Sequence, residues 1–345
     1  MGNPDERASD GLPANSPLDP LMWAPSAIES AWGRVDRLEA VTLRCLPNIA
    51  EWMQSSRERS AALESIVELA HRDLSDWGAD ALGVLPAGVG GLTLAVRIGG
   101  RDGVAKWIAE VEERARRGLI AQMFSDAGIG PTILASSADG FLMERIVPSS
   151  PLRSAGSSRV SVRRSAEMLP QVRSLHIPSH SVFQDPMNQI VLAASTIARS
   201  DRADSDGFAS RAHESALVAA DAVTQLDVHV GHGDFQLGNV LETTLGKLML
   251  IDGSGSVESG YCDVARLVVH SLADAWGSGQ RWDLRTAIRE CASWAGLASA
   301  PLARVCLAQA AQNAWTIRRL VHGRDWEWRA LDAMCVQLSD PSRLC

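Results

Sequence analysis

The chain has 345 residues, 46% of them hydrophobic and 21% charged, so it can bury a large core and is expected to form two lobes. The formal net charge of −8 and the pI near 5.5 argue against a nucleic-acid partner, because nucleic acid requires a basic protein face. The six cysteines form no C-x-x-C pair and have no histidines at zinc-ligand spacing, so we expect reduced thiols rather than a zinc site.

The amino-terminal end carries no targeting signal that we recognise. Residues 1–20 are polar and punctuated by proline and glycine, which is typical of a disordered leader, and they lack the basic start and apolar run of a signal peptide. No later stretch approaches the roughly 20 uninterrupted apolar residues of a membrane helix. We therefore expect a cytoplasmic protein with no membrane partner.

Residues 21–80 are predicted to form a helical extension ahead of the core. Capping-box patterns that begin at Ser26 and Ser55 predict two helices. The second helix carries five apolar residues on one stripe at helical spacing: Leu63, Ile66, Val67, Ala70 and Leu74. This stripe must pack on another element. We expect it to brace a lobe, and a dimer surface or a substrate lid remain alternatives.

Residues 81–147 are predicted to form a small lobe built from strands. Strands at 81–85 and 94–98 flank a glycine-rich segment, and glycines allow backbone N–H groups to approach phosphate oxygens closely. The segment is therefore a candidate phosphate loop, with a plain tight hairpin as the alternative. It is not a Walker A loop, because no Gly-Lys-Ser or Gly-Lys-Thr follows. The candidate residues are Gly88, Gly90, Gly91 and Thr93.

The next strand, at 104–108, carries a single charged residue, Lys106, between apolar neighbours. Such a lysine either reaches a ligand or protects an edge strand from aggregation. A helix at 110–126 and strands at 132–135 and 140–146 follow, which completes a five-stranded sheet.

Residues 148–345 are predicted to form a mainly helical lobe that contains one polar hairpin. Apolar runs at 240–241 and 248–251 flank a polar turn, so Asp234 and Asn239 should lie at the entrance of the hairpin and Asp252 at its exit. Oxygen-bearing side chains gathered in this way suit Mg²⁺, which takes hard oxygen ligands and keeps substrate phosphates in its shell. An acidic loop between two helices is either solvated or able to bind amino groups, and its residues are Asp201, Asp204 and Asp206.

Three motifs in this lobe occur in a fixed order: H-G-D-x-x-x-x-N from His232, a strand that ends in Ile251-Asp252, and G-x-x-D-x-A from Gly260. Together they resemble the signature of the aminoglycoside phosphotransferase and choline kinase group, a branch of the protein-kinase-like fold. The resemblance implies an α+β, two-lobed fold. It also implies a five-stranded antiparallel sheet in the amino-terminal lobe, residues 81–147, and a helical carboxy-terminal lobe, residues 148–345.

The resemblance implies a role for each motif residue. Asp234 would be the catalytic residue that accepts the proton of the acceptor hydroxyl, and Asn239 and Asp252 would hold Mg²⁺. His232 and Asp263 would orient the catalytic loop rather than react.

The nucleotide would lie under the small lobe. Lys106, on a strand similar to the V-A-I-K strand of kinases, would bind its phosphates. Backbone groups of Glu144 and Ile146 would bind the base, which leaves ATP and GTP as alternative donors.

The expected glutamate partner of Lys106 is the main departure from the family pattern. The usual register of this glutamate falls on Arg117, which cannot fill the role. Glu113, one turn earlier, is the predicted substitute, and Glu110 and Glu112 remain alternatives. A solvated face with Glu113 and Arg117 paired at i,i+4 is the other interpretation of this helix.

The sequence therefore predicts a small-molecule kinase that transfers the γ-phosphate of ATP or GTP, with Mg²⁺, to a hydroxyl group of a small acceptor. The leading acceptor is an antibiotic of the aminoglycoside, peptide or nucleoside type, and the protein would then be a resistance enzyme. A metabolic kinase for choline, a sugar or an amino acid is an alternative, and so is a pseudokinase that binds nucleotide and serves as an interaction module. A protein kinase is disfavoured because no A-P-E segment follows Asp252. The oligomeric state stays open.

Overall fold

A computed structural model describes ten segments of the chain: residues 56–85, 91–108, 110–146, 150–152, 158–178, 183–200, 208–224, 226–280, 282–320 and 325–339. The predicted leader and the helix predicted from Ser26 lie outside these residues. So do Gly88 and Gly90 of the predicted phosphate loop, and the acidic loop 201–207.

The first lobe is a five-stranded antiparallel sheet, as predicted, and its strand order is β1-β2-β3-β5-β4. Gly99 and Gly100 make the two-residue turn between β2 and β3, and their positive φ values of 55° and 80° suit the tight turns that match strand twist. The strands are β1 (Ala79–Val84), β2 (Gly91–Ile98), β3 (Arg101–Ile108), β4 (Ile133–Ser136) and β5 (Gly140–Glu144).

Helix α1 (Ser56–Trp77) covers one face of this sheet with its predicted apolar stripe. Ile66, Ala70 and Leu74 are buried in one cluster with residues of β2, β3 and β5. Burial of a large aliphatic side chain such as Ile66 contributes about 1.5–3 kcal/mol. A buried carboxylate, Asp73, adds polar contacts because its Oδ2 accepts from Trp107 Nε1 at 3.0 Å. The helix thus braces the sheet.

Helix α2 (Val111–Asp126) joins the sheet to the second lobe, and its buried residues change from charged to apolar along its length. The buried residues near its start are charged: Glu113, Arg116 and Arg117. Ile120 and Phe124 are buried near its end and pack into the core of the second lobe. The helix ends before Gly128, which has a φ of +67° and allows the chain to turn.

The second lobe is mainly helical and holds the larger core. Its helices are α3 (Arg159–Ala166), α4 (Leu169–Arg173), α5 (Pro186–Ser200), α6 (Phe208–Val223), α7 (Tyr261–Gly277), α8 (Leu284–Ala295), α9 (Ser299–Leu320) and α10 (Asp325–Leu338). Two small antiparallel sheets lie between the lobes: β6 (Ser150–Pro151) with β8 (Val240–Glu242) and β9 (Leu248–Leu250), and β7 (His229–Gly231) with β10 (Ser256–Glu258).

In the described segments, no single helix is long and apolar enough to cross a membrane. Helix α8 and the first part of α9 would reach that length and hydropathy only together, across a 118° bend.

Candidate active site

The loop between β7 and β8 positions the predicted catalytic carboxylate. Asp234 is 1% exposed, and its Oδ2 accepts a hydrogen bond of 3.0 Å from Asn239 Nδ2, which also donates to the Asp234 carbonyl at 2.8 Å. Phe235 and Leu237 are fully buried and anchor the loop in the core. The loop is therefore held at both ends and in its middle.

His232 connects the two halves of the site. Its Nδ1 accepts from the backbone N–H of Asp234 at 3.2 Å, and its Nε2 donates to the carbonyl of Ile251 at 2.9 Å. Burial lowers the pKa of His232, so the ring is neutral at pH 7, which agrees with one accepting and one donating nitrogen. Phe124 of α2 stacks on the imidazole at 5.5 Å between ring centroids. The histidine therefore orients the loop by hydrogen bonding and packing.

Asp263, in the first turn of α7, holds the backbone of the same loop. Its two carboxylate oxygens accept from the N–H groups of His232 at 2.6 Å and Gly233 at 3.0 Å. A carboxylate at a helix amino terminus is also favoured by the helix dipole. This arrangement lets Gly233 adopt a φ of +80° at the start of the catalytic stretch.

Asp252, directly after β9, pairs with Lys106 of β3 through its Oδ1. Burial alone would raise the pKa of Asp252, but the attraction of Lys106 and then of Arg117 outweighs it and lowers that pKa, so the carboxylate is charged at pH 7. Asp252 has a φ of +58°, which aspartate tolerates better than most residues. The neighbouring Gly253 leaves room for Phe124, since a Cβ there would lie 3.0 Å from the phenyl ring.

The oxygen donors at the hairpin fit a magnesium ion. The backbone N–H of Ile251 donates to the Asn239 carbonyl at 3.0 Å, which ties the two ligand-bearing segments together. In the described part of the chain, Asn239 Oδ1 and Asp252 Oδ2 accept no hydrogen bond, so both can ligate a metal. Two protein oxygens complemented by waters and phosphate oxygens match the coordination that Mg²⁺ prefers.

The predicted pair between Lys106 and Glu113 is wrong. Glu113 Oε2 accepts from Arg117 Nε at 2.8 Å, and Glu113 Oε1 lies 3.3 Å from Arg116 Nη2. The reason lies in the helix register: the position that faces Lys106 and Asp252 across the cleft belongs to Arg117, and Glu113 lies one turn away. The i,i+4 pair was foreseen as the alternative, but it is buried rather than solvated.

Two predicted nucleotide residues serve a structural role in the sheet. Gly91 belongs to β2 rather than to a loop, and a Cβ there would lie 2.1 Å from the Trp107 carbonyl oxygen, so close strand packing requires the glycine. Thr93 lies opposite Lys106 in the β2–β3 register and is 8% exposed, so it is a buried cross-strand neighbour of that lysine.

An apolar cleft of about 370 Å³ opens between the two lobes beside Lys106 and Asp252. The backbone N–H of Glu144 donates to the Thr132 carbonyl at 2.8 Å, and the Glu144 side chain is exposed. Of the two residues predicted to bind the base, Ile146 is therefore the candidate backbone donor at this edge. The apolar lining comprises Ala121, Phe124, Pro131, Ile133, Phe141, Met143, Leu250 and Ile251.

A second, polar cleft of about 630 Å³ adjoins the catalytic loop at Gly233. Arg117 lines both this cleft and the apolar one, so its guanidinium lies at their junction. Arg266 of α7 lines the polar cleft as well, donates to the Gly233 carbonyl, and lies 3.4 Å from Asp234 Oδ1. The two clefts therefore meet at Arg117, and the polar one borders the loop that carries Asp234.

Sequence reasoning missed Arg266 and Glu258. Arg266 follows Asp263 by three residues on one helical face, a spacing that offered a signal. Glu258 offered none: its Oε2 accepts from the Cys262 N–H at 2.7 Å at the start of α7, and burial, with the nearby Asp263 charge, raises its pKa well above the usual range.

Several solved structures are similar in fold to this chain. Choline kinase LicA from Streptococcus pneumoniae matches with a TM-score of 0.55 at 15% identity, over 79% of this chain and 98% of its own. The chain has a protein-kinase-like fold. A choline/ethanolamine kinase family protein from Mesorhizobium loti matches it with a TM-score of 0.55 at 15% identity, over 81% and 96%. Aminoglycoside phosphotransferase APH(4)-Ia matches with a TM-score of 0.55 at 17% identity, over 78% and 97%.

The kinase-like fold confirms the two-lobed α+β architecture predicted from the motifs. No protein-family model matches the sequence, and no curated protein matches it. At identities of 15–17% the likeness concerns the fold.

Proposed function

We propose that the protein is a kinase that transfers the γ-phosphate of a nucleoside triphosphate to a hydroxyl group of a small molecule. One observation carries the proposal: the Lys106–Asp252 pair lines an apolar cleft that meets, at Arg117, a polar cleft lined by Gly233, the residue before Asp234. Phosphoryl transfer requires alignment and charge neutralisation more than covalent chemistry, and this site offers both.

In this proposal each described group has one task. Asp234 accepts a hydrogen bond from the acceptor hydroxyl and takes its proton as the new bond to phosphorus forms. Lys106 neutralises charge on the phosphates that are not transferred. Asn239 and Asp252 hold Mg²⁺, which supplies charge neutralisation at the phosphate oxygens when bound. His232 and Asp263 fix the loop geometry.

Arg117 adds a cation that the family pattern does not contain. Its guanidinium is held by Glu113, lines both clefts, and interacts with the charges of Asp252 and Asp234. We propose that it neutralises the transferred phosphoryl group, since planar guanidinium groups bind phosphate oxygens in a bidentate manner.

The donor is proposed to be ATP, with GTP as the alternative. LicA is known in complex with AMP, and APH(4)-Ia in complexes with hygromycin B and either ADP or AMP-PNP. The same relatives leave two proposals for the acceptor. It is an antibiotic, as for hygromycin B, or a metabolite of the choline, sugar or amino-acid type.

A pseudokinase remains a second candidate because of one observation. Lys106 is paired with Asp252 and Glu113 with Arg117, so the usual lysine–glutamate pair of an active kinase is missing from the described site. The intact Asp234, Asn239 and Asp252 favour catalysis.

The decisive experiment measures ADP and GDP release with Mg²⁺ in the presence of aminoglycoside, peptide and nucleoside antibiotics, choline and simple sugars. Acceptor-dependent release that disappears in Asp234→Asn supports the kinase. Nucleotide binding without release for any acceptor would favour the pseudokinase.

A further inference from the structure

The polar cleft has an unusual lining for a site that would take a cationic amine. Among its described lining residues there is no aromatic ring, and four carboxamides dominate the wall. Ammonium ligands are usually recognised by aromatic faces and by unpaired carboxylates. The carboxamides are Gln184, Gln189, Gln309 and Gln312.

The charges that line this cleft also disfavour an amine. Arg117 and Arg266 both line it, whereas Glu113 is the single carboxylate among the described lining residues. Glu113 is already engaged by two guanidinium groups at 2.8 and 3.3 Å. An ammonium group placed here would meet two cations and no unpaired anion, and such like-charge contacts select against a ligand.

Two buried polar atoms of the lining residues have no partner. Gln309 is 2% exposed and donates from Nε2 to Asn313 Oδ1 at 2.9 Å, while its Oε1 accepts nothing. The Nε of Arg266 is likewise buried without an acceptor. Buried polar groups are normally satisfied, so one acceptor and one donor remain available in the side chains that line this cleft. An acceptor and a donor are the two kinds of partner that a hydroxyl group takes.

We propose that the acceptor is a neutral, hydroxyl-rich molecule of the nucleoside or sugar class, which the carboxamide wall and Arg266 recognise by hydrogen bonds. This inference rests on the proposed kinase function and narrows its acceptor. It disfavours choline and aminoglycosides, because a hydrogen-bonding wall gives no compensation for bringing an ammonium group beside Arg117 and Arg266.

The test measures binding rather than turnover, by titration calorimetry on the full chain saturated with Mg²⁺ and ADP. The neutral probes are uridine and N-acetylglucosamine, and the cationic probes are choline and hygromycin B. We expect at least one neutral probe to bind about tenfold more tightly than either cation, an effect of the size of one hydrogen bond. Tighter binding of a cationic probe, or no binding of either neutral probe, would overturn the inference.

Two variants with the same change in charge sharpen the test. Gln309→Glu places a carboxylate of equal shape in the cleft, and we expect it to weaken the neutral probe about tenfold and to strengthen choline. Gln171→Glu adds the same charge at an exposed position of α4 and should change neither the affinity for the neutral probe nor the affinity for choline. Equal behaviour of both variants would contradict the inference. Release of ADP with a cationic acceptor would overturn this inference but support the proposed kinase function. Binding of neutral probes without release of ADP would support this inference about the cleft but contradict the proposed kinase function.

Discussion

Replacing Arg117 with methionine removes the cation at the junction of the two clefts while it keeps the length of the side chain. If Arg117 neutralises the transferred phosphoryl group, kcat should fall steeply. Arginines that act in this way are worth about 10³–10⁵ in kcat, or about 4–7 kcal/mol. Lys106 and the metal still neutralise charge in the variant, so we expect the lower end, about 10³.

The stability cost of Arg117→Met follows from the same contacts. Removing one partner of a buried ion pair costs about 3–5 kcal/mol when the other charge is left unpaired. Glu113 keeps Arg116 at 3.3 Å, so we expect the lower end, about 3 kcal/mol. Arg117→Lys retains the charge but loses the 2.8 Å bond from Nε, and it should show an intermediate kcat.

The assay compares kcat for ADP release with the binding constant for Mg²⁺ and ADP. Arg114→Met is the matched control: it makes the same change on α2, at a residue that pairs with Asp139 at 2.6 Å and lines neither cleft. It should leave kcat within about twofold, because Arg114 and its partner Asp139 line neither cleft. A folded Arg117→Met protein whose kcat stays within about threefold of the wild type would refute the reasoning.

Three further predictions concern the neighbouring carboxylates. Asp234→Asn should lower turnover about 10²–10⁴-fold and leave the affinity for Mg²⁺ and ADP nearly unchanged, because the carboxylate acts on the acceptor; calorimetry and ADP release check this. Asp252→Asn should weaken nucleotide binding and its dependence on Mg²⁺, and an unchanged dependence would remove Asp252 from the metal site. The pKa of Glu258 is raised in the folded state, so the folded protein holds the proton of this carboxyl group more tightly than the unfolded chain does. The resulting stabilisation is fully present below about pH 4.5 and is lost as the pH rises toward the pKa of the folded state. Glu258→Gln keeps an acceptor for the Cys262 N–H but does not titrate. The free energy of unfolding of this variant, relative to that of the wild type, should therefore increase with pH, by up to about 1.4 kcal/mol per pH unit. Urea titrations at pH 5, 6 and 7 measure this difference.

The catalytic hairpin could be predicted from sequence because its geometry is local. The spacing from Asp234 to Asn239 and the two short apolar runs fix which side chains lie at the mouth of the hairpin, whatever the rest of the fold does. The strand that carries Lys106 was found in the same way, from one charge in an apolar run. The observed Lys106–Asp252 pair joins these two local predictions across 146 residues.

Contacts that depend on how α2 and α7 pack could not be predicted from local pattern. In α2 the charged pair Glu113–Arg117 has the spacing of an ordinary solvated i,i+4 pair, and only the second lobe buries it. Arg266 reaches Asp234 because α7 begins beneath the catalytic loop, a position fixed by the backbone bonds of Asp263.

Three carboxylates at the site already have a protein cation: Asp252 has Lys106, Glu113 has Arg117 and Asp234 has Arg266. A nucleotide bound with Mg²⁺ brings further negative charge, so its phosphates must compete for those cations. Asp252 can release Lys106 to the phosphates only if a metal takes the place of the lysine, since a partly buried carboxylate is costly to leave unpaired. Metal and nucleotide should therefore bind as one unit. That expectation explains why the loss of the Asp252 charge should affect the Mg²⁺ dependence of binding, whereas the loss of the Asp234 charge should not.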